Sequence, residues 1–208
     1  MIDQLISELV AYGLENGLID DADKVYVTNG LLELFQRQDY QEPEKLGKPR
    51  KLQLVLDDLL EYALSQGILE DDTVTMRDLL DTKIMGILTP APSVVRKIFE
   101  EKYQVSPKAA TEFYYHFSQA TNYIRTDRII KDEKWETDTE FGKMDITINL
   151  SKPEKDPRDI AKAGTAKKSG YPACLLCREN EGYAGHLSHP ARQNHRIIPI
   201  TLCGEQYY

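Results

Sequence analysis

Apolar residues in the first 130 positions recur at the three- and four-residue spacing of helices. In residues 2–10, and again in residues 52–63, isoleucine, leucine, valine and alanine repeat so that they share one helix face. A third run of this kind ends before Pro90 and Pro92, because proline cannot continue a helix. This pattern predicts an N-terminal region built from amphipathic helices.

The next two predicted helices carry start signals. Ser93 precedes the run VVRKIFEEKY as a predicted N-cap, and Ser106 followed by Pro107 opens the run KAATEFYYHFSQATNYIR. His116 lies among aromatic residues within the second run. We interpret it as a packed, hydrogen-bonded side chain without a catalytic role.

The helical region contains an internal repeat. ELVAYGLENGLIDDADKV (residues 8–25) parallels DLLEYALSQGILEDDTV (residues 58–74), with Gly17 matching Gly67. Each copy predicts a helix closed by glycine and followed by an acidic turn into the next helix. Two copies are too few for a solenoid, so we predict a duplicated helical hairpin.

The pattern changes near residue 131. Residues 131–143 are polar and aperiodic, whereas the run MDITINLS (144–151) alternates between apolar and polar residues, as in a half-buried strand. IAKAGTAKKSG predicts a short helix or loop. HRIIPITL predicts a second strand, with Pro199 at an edge or bulge.

Together these patterns predict an α+β fold. The helical region with its duplicated hairpin spans residues 1–136, and the beginning of a second, β-containing domain spans residues 137–208. Two strands do not make a stable sheet alone. Either this part of the chain takes strands from a partner or the sequence is a fragment of a longer protein, and we favour the fragment.

The composition is that of a soluble protein, with 29% charged residues and a mean hydropathy of −0.49. No window approaches the roughly eighteen apolar residues that suggest a membrane span, and the N-terminus has acids where a signal peptide would have lysines. Three cysteines, an odd number, do not form a disulfide framework. These features predict a cytoplasmic protein without membrane contact.

Charge is distributed unevenly along the chain. Residues 1–142 carry 16 Lys and Arg against 27 Asp and Glu, whereas residues 143–208 carry 10 against 7. The acidic first part argues against a nucleic-acid-binding surface, since such a surface needs positive charge. The mildly basic second part is compatible with a phosphorylated small molecule as a ligand.

Residues 171–199 concentrate the side chains that bind metals or catalyse reactions. The spacing of Cys174 and Cys177 lets two thiolates meet one tetrahedral metal ion, and His186 and His189 could complete a structural zinc site. From spacing alone, plain core cysteines and a redox pair remain alternatives. Two arginines four residues apart could hold a phosphate or be surface charges.

Three stretches of the sequence resemble a known family. MDITINLSKPEKDPRDIA, SGYPACLLCRENEGYAGHLSHPARQNHRIIPIT and CGEQYY are similar to the galactose-1-phosphate uridylyltransferases of the second, bacterial class. The resemblance covers the whole chain and is most specific over residues 144–202. It implies a helical region followed by the start of an antiparallel β transferase domain related to the histidine-triad fold.

The resemblance also implies a reaction, one step of the Leloir pathway of galactose metabolism. UDP-glucose and galactose 1-phosphate become glucose 1-phosphate and UDP-galactose through a uridylyl-histidine intermediate. The nucleophile of the family lies in a His-x-His pattern, which does not occur in these 208 residues. We therefore assign no catalytic residue, and we expect the nucleophile beyond residue 208 and the isolated chain to be inactive.

Four substrate-binding residues follow from the resemblance. Lys152 and Lys155 fall in a stretch that helps the family hold the phosphates of the nucleotide. Asn180 follows the Cys-x-x-Cys pattern as an asparagine does in the family. Asn194 falls near an asparagine–aspartate pair that contacts uridine, although His195 stands in place of the aspartate.

Zinc is the cofactor that the resemblance implies, with Cys174 and Cys177 as ligands, and no organic cofactor is expected. The expected partners are UDP-glucose and galactose 1-phosphate, and members of the family commonly form homodimers. The alternative from a different functional class is a non-catalytic helical interaction module with a small zinc-stabilised β appendage.

Overall fold

The computed structural model describes nearly all of the first 150 residues and shorter stretches beyond them. The described residues are 2–150, 157–165, 170–171, 179, 182–183, 200–202 and 205–207. The helices are α1 (Ile2–Glu15), α2 (Lys24–Leu34), α3 (Leu52–Ser65), α4 (Val74–Leu88), α5 (Pro92–Val105), α6 (Pro107–Ala120), α7 (Thr126–Ile129) and α8 (Pro157–Thr165). The strands are β1 (Glu133–Thr139), β2 (Gly142–Ile148), β3 (Ile200–Leu202) and β4 (Glu205–Tyr207), and a 3₁₀ turn spans Asp21–Asp23.

Two successive helical hairpins, α1–α2 and α3–α4, have similar turns. Helices α1 and α3 are each followed by a glycine with positive φ, +64° at Gly17 and +69° at Gly67, a conformation that glycine adopts without steric strain. In both copies the amide after this glycine donates to the carbonyl five residues earlier, at 2.8 and 2.9 Å. The hairpins α1–α2 and α3–α4 are therefore copies of one local structure.

The hydrophobic core lies between these two hairpins. Helix α1 packs against α2 and α3, and α4 packs against α2 and α3, so that the four helices form one bundle. Helices α5 and α6 form a third hairpin beside it. The largest fully buried side chains are Ile6, Leu9, Val27, Leu31, Phe35, Leu56, Leu59, Ile84, Met85, Leu88 and Val95.

The two predicted helix starts have different outcomes. The cap at Ser106 is confirmed, since its hydroxyl accepts a hydrogen bond from the backbone amide of Ala109 at 3.0 Å. The cap at Ser93 is wrong, because α5 already begins at Pro92 and its N-cap position is Ala91, which makes no side-chain cap. Proline has no amide hydrogen to satisfy and its fixed φ suits the first helical position.

Strands β1 and β2 form an antiparallel hairpin, with Trp135 opposite Ile146 and Thr137 opposite Met144. The predicted strand after residue 143 is confirmed as part of β2. The interpretation of the preceding residues as aperiodic was wrong for β1. Trp135 is the one large apolar residue of β1, so this strand takes its register from its partner rather than from an alternation of its own.

The predicted α+β class is confirmed by this mixture of helices and antiparallel strands. The chain changes from helix to strand between Ile129 and Glu133. Farther along, β3 and β4 pair antiparallel. Strand β3 coincides with the last three residues of the predicted HRIIPITL strand, and the first five residues of that strand lie outside the described ranges. No helix in the described ranges is both long and apolar enough to cross a membrane.

Candidate functional site

All of the site residues predicted from the sequence lie outside the described ranges. These residues are Lys152, Lys155, Cys174, Cys177, Asn180 and Asn194. The structure therefore neither brings them together nor separates them. Within the residues that are described, no group of three or more histidine, cysteine, aspartate or glutamate side chains could hold a metal ion.

Residues on both sides of the Cys174–Cys177 segment are described, and they meet. The rings of Tyr171 and Tyr183 lie edge to face, with centroids 6.0 Å apart and planes at 82°. The Tyr171 hydroxyl also donates to the backbone carbonyl of Glu179 at 3.4 Å. Tyr171 is therefore in contact with residues on the far side of the Cys174–Cys177 segment.

A cavity of about 950 Å³ lies between α2, α4 and residues 182–183. Helix α2 contributes Tyr26, Asn29 and Glu33, and α4 contributes Lys83, while Tyr183 lines the cavity from the other part of the chain. Such a volume is within the range of small-molecule sites, about 300–1,000 Å³. The cavity is therefore lined by the helical bundle and by Gly182 and Tyr183.

Spacing along the two helices explains why these side chains converge. Tyr26, Asn29 and Glu33 follow one another at intervals of three and four, so they lie on one face of α2. On α4, Lys83 and Gly86 are three residues apart and occupy the facing surface. A Cβ atom placed on Gly86 would meet no atom within 4 Å, so the glycine leaves open space on this side of α4.

The charges of the cavity come from one cation and one anion among the described lining residues, Lys83 and Glu33. Both side chains are exposed. In the described part of the chain, neither side chain forms an ion pair.

Helix α8 contacts the bundle at the turn between α3 and α4. Its Lys162 forms an ion pair with Asp71, in the acidic turn between α3 and α4. In the same turn, a hydrogen bond from Arg77 holds the pKa of Asp72 below its usual value, and Arg158 of α8 adds to this effect although partial burial opposes it. These charges attach α8, which begins directly after the Lys152–Lys155 stretch, to the end of α3.

Helix α4 also holds a buried cluster of charges. Arg125 lies 2.6 Å from a carboxylate oxygen of Asp81 and 3.2 Å from one of Asp78, and Arg128 lies 2.5 Å from Asp78. The side-chain amide of Asn122 donates to Asp81 at 3.2 Å. Burial raises the pKa of the Asp81 carboxyl, an effect that the positive charge of Arg125 opposes. The cluster ties α4 to the segment that leads into β1.

His116 does not occupy the packed position that we predicted. It is exposed on α6, its ring 5.9 Å from that of Tyr115, and it lines a separate cavity of about 680 Å³ with Tyr12 and Phe113. The buried stripe of α6 runs through Ala110 and Phe117. His116 is one residue from this stripe, about 100° around the helix axis. The structure gives it no catalytic partner among the described residues.

The cavity and the charge cluster were both missed from the sequence. Asp78 and Asp81 lie inside the apolar run of α4 and are a signal for buried ion pairs. The sequence does not show which basic residues pair with them. Lys83 and Gly86 carry no comparable signal, because a groove between two helices depends on their tertiary packing.

Comparison with known proteins gives consistent matches over nearly the whole chain. The family model described as "Galactose-1-phosphate uridyl transferase, N-terminal domain" matches residues 17–200. A protein of Butyrivibrio fibrisolvens named galactose-1-phosphate uridylyltransferase is 51% identical over 203 residues, which are 97% of this chain and 52% of that protein. A protein of the same name from Clostridium acetobutylicum is 49% identical over 208 residues, covering 100% of this chain and 42% of its own length.

A Bacillus subtilis protein of the same name is 45% identical over 207 residues, 98% of this chain and 40% of that protein. The chain thus spans between about two fifths and one half of the length of these curated relatives. No solved structure matches it significantly.

Proposed function

This chain belongs to the galactose-1-phosphate uridyl transferase family, and we propose from that membership that it serves uridylyl transfer between UDP-glucose and galactose 1-phosphate. The products of this reaction are glucose 1-phosphate and UDP-galactose. The reaction makes the whole protein a nucleotidyltransferase of galactose metabolism.

One observation carries this proposal: the family model matches residues 17–200, which include most of the helical region and strands β1 and β2. The resemblance of the chain to this family, most specific over residues 144–202, is thereby confirmed, and it includes a helical region that has no chemical motif of its own. A non-catalytic helical interaction module is not favoured, since relatives named as transferases match 97% or more of this chain.

The proposed role of this chain is to bind the nucleotide rather than to supply the nucleophile. Lys152 and Lys155 are proposed to hold the phosphates of UDP-glucose through charge-assisted hydrogen bonds, which are stronger than neutral ones. Asn194 is proposed to contact the uridine, and Asn180 is proposed as a further substrate-binding residue. The ion pair between Lys162 and Asp71 supports this role, because it attaches the helix that follows the lysines to the bundle.

The nucleophile is expected in the part of the relatives that this chain does not cover. Attack on the α-phosphate needs a neutral, oriented imidazole and donors that stabilise charge on the phosphoryl oxygens. The family uses a His-x-His pattern for this purpose, and the 208 residues contain none. We accordingly propose no histidine of this chain as a catalytic residue.

Zinc is proposed as a structural ion held by Cys174 and Cys177, because two cysteines at this spacing can bind one tetrahedral metal ion. Protein prepared without added metal should contain zinc near one equivalent, and Cys174→Ser should lower it. A zinc content near zero that Cys174→Ser leaves unchanged would remove this part of the proposal.

Three further expectations belong to the proposal. The antiparallel strands are expected to begin a domain related to the histidine-triad fold, which the pairing of β1 with β2 and of β3 with β4 supports. A cytoplasmic location is expected from the composition and from the odd number of cysteines. The family habit of dimerisation is testable by light scattering on a size-exclusion column.

The experiment that tests the function uses a chimaera. Chain 1–208 alone, given UDP-glucose and galactose 1-phosphate, should form no UDP-galactose. The same chain joined to the part of the Butyrivibrio fibrisolvens relative that it does not cover should form UDP-galactose. Within the chimaera, Lys152→Met and Lys155→Met should raise the KM for UDP-glucose, whereas Lys97→Met on α5 serves as a matched surface control.

Two results would contradict the proposal. Turnover by chain 1–208 alone would show that the nucleophile lies within it. A folded chimaera that neither binds UDP-glucose nor forms UDP-galactose would show that this chain does not serve the transferase reaction.

A further inference from the structure

We propose that Asp71, in the acidic turn between α3 and α4, is a positioning residue for nucleotide binding, because it holds the helix that follows the Lys152–Lys155 stretch. This inference rests on the proposed function and extends it to a residue of the helical bundle. Asp71 acts through its ion-pair partner on α8, Lys162, and not by contact with the substrate.

Two cations of α8 interact with two neighbouring acids of the bundle. Arg158 and Lys162 are four residues apart, so they lie on one face of α8. Lys162 forms an ion pair with Asp71. A hydrogen bond from Arg77 lowers the pKa of the Asp72 carboxyl, and the positive charge of Arg158 adds to this effect, although slight burial opposes it. Opposite charges therefore connect α8 to the turn between α3 and α4.

Helix α8 is too short and too exposed to be held by helix propensity or by apolar packing. It has nine residues, whereas an isolated helix of fewer than about 12–15 residues is marginal in water. Its one large apolar residue, Ile160, is 56% exposed, and every other side chain that the structure describes in α8 is exposed as well. The position of α8 therefore depends on its charges.

The acidic turn is a firm place of attachment. Leu69 and Thr73, on either side of the turn, are 4% and 1% exposed. The hydroxyl of Thr73 accepts a hydrogen bond from the backbone amide of Met76 at 3.3 Å and thereby caps α4. Asp71 therefore lies between two buried residues of the bundle, and its carboxylate can fix the position of Lys162.

Chain connectivity makes the position of α8 relevant to the nucleotide. Helix α8 begins at Pro157, and Lys155 is two residues earlier in the chain. Because consecutive Cα atoms are about 3.8 Å apart, the Cα of Lys155 lies within about 7.6 Å of that of Pro157. Tethering the backbone next to a flexible lysine reduces the conformational freedom that is lost when the lysine binds a phosphate. Release of α8 should therefore weaken nucleotide binding without removing any group that contacts the nucleotide.

The first helical hairpin supplies a matched control. Asp21 corresponds to Asp71 in the repeated sequence, and it is exposed. Within the described part of the chain it forms no ion pair. Asp21→Lys therefore makes the same change of charge on the equivalent turn, where the structure shows no ion pair to break.

The test measures the kinetics of the chimaera. Asp71→Lys should raise the KM for UDP-glucose about three- to tenfold and change kcat less than about twofold, because it replaces an attraction to α8 by a repulsion. Asp71→Glu, which keeps the charge, and Asp21→Lys should leave this KM within about twofold. The reciprocal variant Asp71→Lys with Lys162→Asp should restore most of the lost affinity, because it forms the ion pair in the opposite sense.

Hydrogen–deuterium exchange at short labelling times measures the attachment of α8 itself. Exchange of the α8 amides should be faster in Asp71→Lys than in Asp21→Lys or the unchanged protein. Circular dichroism of each variant checks that the helices of the bundle are intact.

The outcomes separate this inference from the proposed function. The inference is overturned if α8 exchanges no faster in Asp71→Lys, if faster exchange leaves the KM for UDP-glucose unchanged, or if the reciprocal variant restores neither quantity. Each of these results leaves the proposed function in place, because the unchanged chimaera still forms UDP-galactose. A folded, unchanged chimaera that does not bind UDP-glucose would overturn the proposed function and this inference with it.

Discussion

Arg125→Met is the perturbation that the structure predicts most sharply. Arg125 is 15% exposed and lies between two carboxylates, at 2.6 Å from Asp81 and 3.2 Å from Asp78. Methionine keeps most of the volume and the apolar stem of arginine but has no charge. The substitution therefore leaves Asp81, whose side chain is 5% exposed, without its closest positive partner.

The expected loss is about 3–5 kcal/mol of the free energy of unfolding, because an uncompensated buried charge costs far more than a surface ion pair contributes. A domain of ordinary stability has about 5–15 kcal/mol in total. Arg128 compensates only part of the loss, since it contacts Asp78 at 2.5 Å and has no contact as close to Asp81. The variant should therefore fold, but with a clearly lower urea midpoint.

The pH dependence has a definite sign. Burial already raises the pKa of Asp81, and Arg125 opposes that rise, so its removal raises the pKa further. The folded variant then binds a proton at a pH at which the unfolded chain has released it. Its stability falls as pH rises, and its deficit relative to the unchanged chain should be smaller at pH 5 than at pH 8.

Urea unfolding followed by circular dichroism at both pH values measures this effect. The matched control is Arg37→Met, because Arg37 also lies 2.6 Å from a carboxylate, that of Asp39, but Asp39 is 83% exposed. Such a surface pair contributes about 0–1 kcal/mol. The double variant Arg125→Met with Asp81→Asn should recover part of the loss, because it removes both charges. An Arg125→Met cost no larger than that of Arg37→Met would refute the reasoning.

Two further predictions concern the bundle. Gly86→Ala should raise the free energy of unfolding by about 0.5–1 kcal/mol, because alanine favours the helix and meets open space. Gly30→Ala should stabilise the protein less, or destabilise it, because its Cβ would lie 3.0 Å from the Ile87 side chain. Urea unfolding of both variants in parallel measures the difference, and a larger stabilisation by Gly30→Ala would contradict the prediction. Burial, and to a lesser degree the charge of Glu15, raises the pKa of Tyr12 to about 12. The stability that neutral Tyr12 contributes is then present below about pH 10 and lost towards pH 12. Tyr12→Phe should lower the free energy of unfolding by about 1 kcal/mol at pH 8, because it removes the 2.9 Å hydrogen bond from Tyr12 to the Ala120 carbonyl. It should also reduce the loss of stability at high pH. An unchanged free energy of unfolding at pH 8 would show that this hydrogen bond adds nothing.

Features with a local cause were predictable from the sequence. The glycines at positions 17 and 67 and the cap at Ser106 each depend on a few neighbouring residues, and the structure confirms them. The apolar spacing of the helices is equally local, because one buried face requires it. The wrong N-cap prediction at Ser93 also has a local cause. Pro92 and Ser93 are adjacent residues that both favour a helix start, and α5 begins at Pro92.

Features that depend on a distant partner were not predictable. Strand β1 has one large apolar residue, Trp135, and exists as a strand because β2 pairs with it. Asp78 and Asp81 meet arginines more than forty residues away. The cavity at Lys83 requires α2, α4 and Tyr183 to be placed together, which no spacing within one segment encodes.

The two copies of the helical hairpin differ where α4 has acquired additional neighbours. Helices α2 and α4 begin at equivalent positions, Lys24 and Val74, so that Asp81 of α4 corresponds to Leu31 of α2. Leu31 is fully buried among apolar side chains, whereas Asp81 is buried against Arg125. A leucine at position 81 would recover the apolar packing of the first copy but leave Arg125 buried with one acid fewer. The acid on α4 and the arginine before β1 therefore have to change together, which is why the double variant is expected to be more stable than Arg125→Met alone.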